Sequence, residues 1–514
     1  MTRAQGEYWA LGVTGVYLAA LGVAMWMDFP WLAVLPLVLL IAAWAFVRTE
    51  WLLALLVFCV PLSFNLEALD LGGIGLYLPT EPLLAGLLVL FLARAMMGWP
   101  VSEKLLRHPV SKWIGIMLMW LAFTSAISAL PVVSFKFLVA RSWFVVGFFY
   151  LIGHVFLQRR QTIEQFVFLY TIPLALVIIY TIIRHAGYGF DKDAGHWVMW
   201  PFFKDHTSYG AVLAMWVPVV IAVLWDDKRS VLHRLLSGAL LSILILGTVL
   251  SFTRAAWVSL AGAGVLWLLM KVGLRLKTLL IVGFVGLAFL FLAQDALLIT
   301  LQRNEQDSSD DLAEHVESIS NVSSDASNLE RLNRWNCALA MFAERPLTGW
   351  GPGTYQFLYA PFQRSEDHTI ISTNNADGGN AHSEYLGPMA EQGFPGVLIV
   401  LCLLGWTLHL GFKLQRQLTS PRDKRLAMGA FLGLMTYFVH GVLNNYLDTD
   451  KASAPFWGLL VILVVLDLDR SQSHAGALPH TPDPYQRKRM LKSAVSSNVG
   501  SSPRNPSKAV NNAC

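Results

Sequence analysis

Charge is what this sequence has least of: Asp, Glu, Lys and Arg together make 14% of 514 residues, against 55% hydrophobic. So small a share excludes an ordinary soluble globule, in which about a quarter of residues are charged, and no nucleic-acid partner is expected. Cysteine is nearly absent as well. Cys59, Cys337, Cys402 and Cys514 are scattered without a CxxC or ligand-like spacing, which excludes a disulfide framework and a zinc site. No Gly-Lys-Ser/Thr follows the glycine-rich segment near 349–353, so a P-loop and ATP are excluded. The first apolar run, Tyr8 to Trp26, lacks a small-residue cleavage site and is followed at once by further apolar runs, so it reads as a retained helix. No internal repeat is visible, which weighs against the repeat-built transporter folds.

What is abundant is apolar sequence in long runs, with a mean hydropathy of +0.52. The runs lie near 8–26, 31–47, 51–63, 81–97, 111–129, 138–157, 163–183, 208–225, 231–252, 255–270, 278–297, 394–412, 426–444 and 454–468. Most are close to the ~20 residues that carry a helix across a hydrocarbon core of about 30 Å. The fold class expected is therefore an all-α polytopic membrane protein with about 12–14 transmembrane helices. Several of the nineteen tryptophans, among them Trp26, Trp51, Trp99, Trp113, Trp200 and Trp457, stand near run ends, where amphipathic rings favour the headgroup level.

The basic residues give these runs a direction. Lys104, Arg107 and Lys112; Arg159 and Arg160; Lys228, Arg229 and Arg234; Lys271, Arg275 and Lys277; and Lys413, Arg416, Arg422, Lys424 and Arg425 all fall in one alternating set of loops, with Arg3 and the tail's Arg487 to Arg489 region. The positive-inside rule makes that set, and both termini, cytoplasmic. The opposite side carries two long segments, near 184–207 and 298–393. The second opens with an acidic Ser/Asp/Asn stretch from Gln306 to Asn328 that reads as mobile. It then changes to Arg331, Trp335, Ala338, Met341 and Phe342 at helical spacing, followed by a Pro/Gly turn from Arg345 to Gly353. The chain thus divides into N-terminal helices (1–200), central helices (201–297), a large, partly helical outer loop (298–393), C-terminal helices (394–469) and a disordered tail (470–514).

Few polar residues stand where membrane chemistry could use them. Arg254, in Ser251-Phe252-Thr253-Arg254-Ala255, lies between two apolar runs. Either it faces a cavity or an anionic group, or it snorkels to the surface, and Arg141 carries the same two readings. His382, in Asn380-Ala381-His382-Ser383-Glu384-Tyr385, stands at the membrane edge; it is either a structural histidine or a general base acting on a hydroxyl. Lys204, Asp205 and His206 either cap a helix or line an outer cavity. The glycine turn Pro346 to Tyr355 has backbone amides that could hold a phosphate. His368 and His382 lack a third ligand, and no metal is expected.

Taken in order, Thr253-Arg254-Ala255, Arg331-Leu332 with Trp335 and Ala338, the Pro346 to Gly353 turn, and His382-Ser383-Glu384-Tyr385-Leu386 followed by Glu391-Gln392-Gly393-Phe394-Pro395-Gly396 resemble the O-antigen ligase and O-antigen polymerase superfamily, from about Trp200 to Trp457. The resemblance implies a GT-C-like glycosyltransferase of the cell inner membrane that needs neither metal nor cofactor and faces the periplasm. Its donor would be an undecaprenyl-pyrophosphate-linked glycan, and its acceptor a lipid or glycan such as lipid A core. It implies Arg254 and Arg331 as the pyrophosphate-neutralising pair and His382 as the group that activates the acceptor. Arg141, Lys204, Arg334, Glu384 and Tyr385 would bind substrate, with Glu384 orienting the turn rather than acting as a nucleophile. Within the family a polymerase or a protein O-oligosaccharyltransferase fits the same residues. Outside it, a polysaccharide or lipid transporter is the competing class.

Overall fold

In the computed structural model of the chain, the described residues are 3–27, 32–33, 36, 48–66, 76–98, 101–224, 230–292, 326–364 and 379–477. Most of the expected run 31–47 and of the acidic stretch 306–328 lies outside them, as do the tail beyond 477 and His368.

Everywhere else an apolar run is a helix. In chain order these are α1 (Arg3–Trp26), α2 (Thr49–Cys59), α3 (Thr80–Met96), α4 (Pro109–Ala126), α5 (Pro131–Gln158), α6 (Thr162–Gly187), α7 (His206–Leu224), α8 (Val231–Val249), α9 (Arg254–Lys271) and α10 (Leu276–Leu292). After the loop helix α11 (Ala326–Glu344) come α12 (Leu386–Gln417), α13 (Pro421–His440) and α14 (Asp450–Ala477). The chain is an all-α, multi-pass membrane protein. Among the described residues, five helices are both long and apolar enough to cross a bilayer: α5, α6, α7, α12 and α14. The others are shorter or less uniformly apolar. The sole sheet among the described residues is a two-residue ribbon pairing Phe64 with Leu78 and Asn65 with Tyr77.

The chain divides into two compact units, Met1–Leu468 and Asp469–Cys514. The tail expected to be disordered from 470 begins as helix, because α14 continues to Ala477. Within the first unit α14 is the axis of the bundle: Leu459 to Leu466 are all buried, and an apolar helix with no polar stripe can be buried on every side. The helices α1, α8 and α10 instead leave large apolar side chains such as Val16, Leu235 and Phe284 exposed, as a lipid-facing surface requires. Where lipid supplies no hydrophobic drive between helices, close approach must come from small residues. Gly429 and Gly433 do this on α13: a Cβ at either would stand 2.5 Å from Ala222 Cβ or Met215 O of α7.

Charges inside the bundle are paired at both ends of α14. Asp450 accepts hydrogen bonds from Ser63 Oγ (2.5 Å) and Thr80 Oγ1 (2.6 Å), while Lys451 Nζ donates to Ser63 O (2.7 Å) and Val60 O (3.2 Å). At the other end Asp467 takes Lys413 at 2.8 Å. Several loop cations are ion-paired on that same side, Arg159 with Glu50, Arg160 with Asp423 and Arg422 with Glu164. One end of the bundle therefore holds the loops that carry these cations, and the opposite end gathers the candidate site.

Candidate functional site

At the Asp450 end, helix ends are stitched together by short polar segments. Asp205 Oδ1 accepts from Ser208 N (2.7 Å) and Thr207 Oγ1 (2.7 Å), capping α7. The cap reading of 204–206 holds for Asp205 alone. Lys204 is exposed, and the His206 ring stacks on His196 with centroids 4.3 Å apart. The Thr253-Arg254-Ala255 motif is the start of α9. Thr253 is buried, its hydroxyl donates to His206 O (2.8 Å), and its Cβ lies where a side chain on Gly210 would be. This fixes the first residue of the helix, Arg254, beside the start of α7.

The helical spacing read from Arg331 to Phe342 is helix α11. Its apolar stripe, Cys337, Ala338 and Met341, joins Tyr355, Tyr359, Ala381 and Ala390 in a small buried cluster of its own. The outer loop, where described, is a packed unit rather than a strap. What holds it to the bundle is the glycine turn. Gly349 and Gly393 both have positive φ, 65° and 69°, and a Cβ on Gly349 would meet Glu391 C at 2.2 Å, while one on Gly393 would meet Leu347 C at 2.4 Å. Two backbone segments touch here, and only glycine allows it. Trp350 N donates to Ala390 O (3.2 Å), Gly351 N to Glu391 O (2.8 Å) and Phe394 N to Pro346 O (2.8 Å); Tyr355 N donates to the Glu391 carboxylate (3.0 Å). Ser134 Oγ, from α5, donates to Pro352 O (2.8 Å). The turn is a clamp, and the amides of Trp350 and Gly351 that might have held a phosphate are bonded to protein. Gly393 also breaks α12, so the membrane helix proper starts at the residue expected from sequence.

His382 sits just before that clamp with φ 48°. Asn380 Oδ1 accepts its backbone N–H (3.0 Å), the local bond that lets a non-glycine residue hold a left-handed conformation. Ser383 Oγ caps the first turn of α12 through Tyr385 N and Leu386 N. The Trp335 indole N–H points at His382 O (3.5 Å). Burial, then the guanidinium charges of Arg331 and Arg334, lower the His382 imidazole to about 4; Asn444 and Glu330 oppose the shift. The ring is therefore neutral near pH 7. Arg334 is buried, bonded to Glu330 (2.6 Å), and lies 3.9 Å over the Tyr359 ring, with one terminal nitrogen unpartnered. Arg331 is half-buried and stands within electrostatic reach of His206, His382, His440 and Tyr446. The His440 ring lies beside the backbone of Ala255, which brings the Arg254 turn to the same place.

The remaining candidates line a neighbouring cleft of about 250 Å³. Arg141, Lys204, Glu384 and Tyr385 all line it, with Asp448 in electrostatic reach of both cations, and Leu121, Ile399, Leu403 and Phe456 add apolar wall. Arg141 donates to Leu447 O (2.8 Å), and the Tyr385 hydroxyl donates to Phe438 O (2.9 Å). Glu384 holds the wall between cleft and histidine: its Oε1 accepts from Tyr446 N (2.9 Å), Leu447 N (3.0 Å) and the Tyr437 hydroxyl. The eight candidates thus fall into two adjoining groups, an arginine–histidine cluster and a mixed-charge cleft. Sequence reading missed His440, Asn444 and Asp448, all on or just after an apolar run with no motif to mark them.

Residues 239–401 match a family model described as O-antigen ligase, a segment that begins in α8, includes all of α9 and α11 and ends within α12. It holds Arg254, Arg331, Arg334, His382, Glu384 and Tyr385, and excludes Arg141 and Lys204. No curated protein matches the chain.

Proposed function

With residues 239–401 making this chain a member of the O-antigen ligase superfamily, we propose that it is a periplasmic-face glycosyltransferase that moves a glycan from undecaprenyl pyrophosphate to a hydroxyl of an acceptor, lipid A core in the first instance. The observation that carries this reading is the half-buried His382, whose imidazole is held neutral beside Arg331 and Arg334, at the end of the bundle opposite the basic loops. By the positive-inside rule that end faces the periplasm in the inner membrane.

The chemistry follows from the arrangement. The acceptor O–H gives its proton to the free nitrogen of His382 as its oxygen attacks the anomeric carbon. The bond from that carbon to the pyrophosphate oxygen breaks, and the leaving pyrophosphate takes both electrons. Arg331, Arg334 and Arg254 neutralise the charge that develops there; arginine's planar fork suits two phosphate oxygens at once. A direct displacement of this kind needs neither a metal nor a covalent enzyme intermediate. The cleft beside it, lined by both cations and apolar side chains, suits the lipid-bearing part of a substrate.

Transfer by purified protein in liposomes, with a lipid-linked glycan donor, tests the reading. His382→Ala is expected to lose about 10²- to 10⁴-fold in rate, and Arg254→Ala a comparable amount. Full activity in both variants removes the mechanism, and export of substrate with no new glycosidic bond makes the protein a transporter. Deleting the chain in its host and following the glycan, on core lipid, in a long free polymer or on protein, separates ligase from polymerase and oligosaccharyltransferase.

A further inference from the structure

Two cations line the cleft beside the arginine–histidine cluster without an ion-pair partner of their own. Arg141 is half-buried in the membrane helix α5; it gives one guanidinium N–H to Leu447 O (2.8 Å) and lies 5.2 Å from the centroid of the Phe137 ring. Lys204 is exposed, just before α7. Among the described residues neither has a carboxylate within 4 Å, whereas Arg160, Arg334 and Lys413 have one at 3.0, 2.6 and 2.8 Å. Of the carboxylates that line the cleft, Glu384 accepts from Tyr446 N and Leu447 N and Glu391 from Tyr355 N. A cation in an apolar membrane helix is costly unless it faces a cavity or an anion. The same cleft has an apolar wall: Gly396, Ile399, Val400 and Leu403 recur at the spacing of one face of α12, joined by Leu121 of α4 and Phe456 of α14. Two cations and an apolar wall around about 250 Å³ match the phosphate of an amphiphile and the first part of its chain.

Which amphiphile this is follows from where the cleft ends. Asn380, Ala381, Glu384 and Tyr385 line it, whereas His382, between them in the chain, does not, and neither do Arg331 and Arg334. In a direct displacement the nucleophile enters on the face of the sugar opposite the leaving group. The leaving pyrophosphate belongs to the arginine cluster, so the attacking hydroxyl comes from another side. We propose that the cleft holds the acceptor, a phosphate-bearing lipid whose phosphate is bound by Arg141 and Lys204 and whose hydroxyl-bearing head crosses the 380–385 segment to His382. This rests on the transferase reading of the cluster. It adds that the acceptor is selected by an anionic group, at residues separate from those that hold the donor.

Kinetics of glycan transfer in liposomes separate the two lipids. Lys204 is exposed, so its charge can be reversed without disturbing the packing. Lys204→Glu is expected to raise KM for a lipid A core acceptor about tenfold, the equivalent of one charge-assisted hydrogen bond, with KM for the lipid-linked donor unchanged. Arg141→Gln should act in the same direction, and Arg141→Lys should restore most of the loss. Asp448, in electrostatic reach of both cations, opposes an anion, so Asp448→Asn should lower that KM. A binding measurement needs no turnover. Titrated into the full chain in detergent and followed by native mass spectrometry, dioleoyl phosphatidate is expected to bind about tenfold more weakly to Lys204→Glu than to the wild type, and as well to Arg331→Ala as to the wild type. Undecaprenyl phosphate should show the reverse, and uncharged dioleoylglycerol should be indifferent to Lys204→Glu. Undecaprenyl phosphate weakened by Lys204→Glu gives the cleft to the donor and overturns the proposal. So does phosphatidate binding that ignores Lys204→Glu and Arg141→Gln, or an acceptor KM that stays the same in both; transfer by the wild-type protein then leaves the transferase reading standing. Wild-type protein that forms no glycosidic bond overturns that reading, and with it the acceptor's place in the cleft.

Discussion

Replacing Gly349 by alanine attacks the clamp that seats the outer loop on the bundle. The glycine has φ 65°, and a Cβ there would lie 2.2 Å from the carbonyl carbon of Glu391, 2.4 Å from Gln392 N and 2.4 Å from Glu391 O. These are backbone atoms, so no rotamer change relieves the overlap. The left-handed conformation costs an alanine about 1–2 kcal/mol, and forcing the two segments apart adds about 1–3 kcal/mol. Separation also lengthens the bonds from Trp350 N to Ala390 O and from Gly351 N to Glu391 O, each worth about 1 kcal/mol. A loss of about 4 kcal/mol is expected, concentrated on the loop because the buried α14 and α7 do not depend on the clamp. Amide exchange of Trp350, Gly351 and Phe394 in detergent-solubilised protein reads it directly, and about a thousandfold faster exchange corresponds to that figure. Gly387→Ala is the control. Its Cβ would be 3.8 Å from the Cβ of Ala381, an ordinary van der Waals contact, and stability should change by no more than about 0.5 kcal/mol. Exchange at Trp350 and Gly351 that is the same in Gly349→Ala as in the wild type would refute the clamp.

Protonation gives a second expectation. His382 is lowered to about 4 by burial and by Arg331 and Arg334, so kcat/KM should keep its value down to about pH 4 rather than failing near 6.5. The unfolded chain binds that proton near 6.5, so the folded state loses stability as pH falls from 6.5 towards 4 and gains nothing above it. Arg331→Gln removes one of the charges responsible and should move the acid limb upward while weakening donor binding; an unmoved limb refutes the electrostatic account. Glu330→Gln leaves the buried Arg334 without its carboxylate, and a cost of about 3–5 kcal/mol is expected in thermal unfolding. Glu384→Ala removes the acceptor of Tyr446 N, Leu447 N and Tyr437 and should cost about 3 kcal/mol, with exchange rising across 441–447, whereas Glu384→Gln, which keeps an oxygen, should cost less. Equal loss in the two Glu384 variants would show that charge, not acceptance, holds the turn.

Sequence alone determined the helical, many-span architecture, because in a membrane every backbone group must be satisfied within its own segment and apolar runs are the direct trace of that rule. It also picked out the break at Gly393, the helix from Arg331 to Phe342, and the arginines and His382, each a polar residue standing out against an apolar background. What it could not determine was how polar groups distant in the chain combine. Asp450 bonds Ser63 and Thr80 across more than 360 positions, Glu384 holds the 446–447 backbone, and Asn444 stands beside His382; these are meetings that periodicity cannot encode. The glycine turn shows the same limit from the other direction. Its composition signalled a tight turn with available amides, and only the tertiary contact with the backbone from Ala390 to Phe394 turned those amides inward and made it a clamp. Local propensity sets each element, but which side chains share a site is decided by the packing of helices whose ends happen to meet.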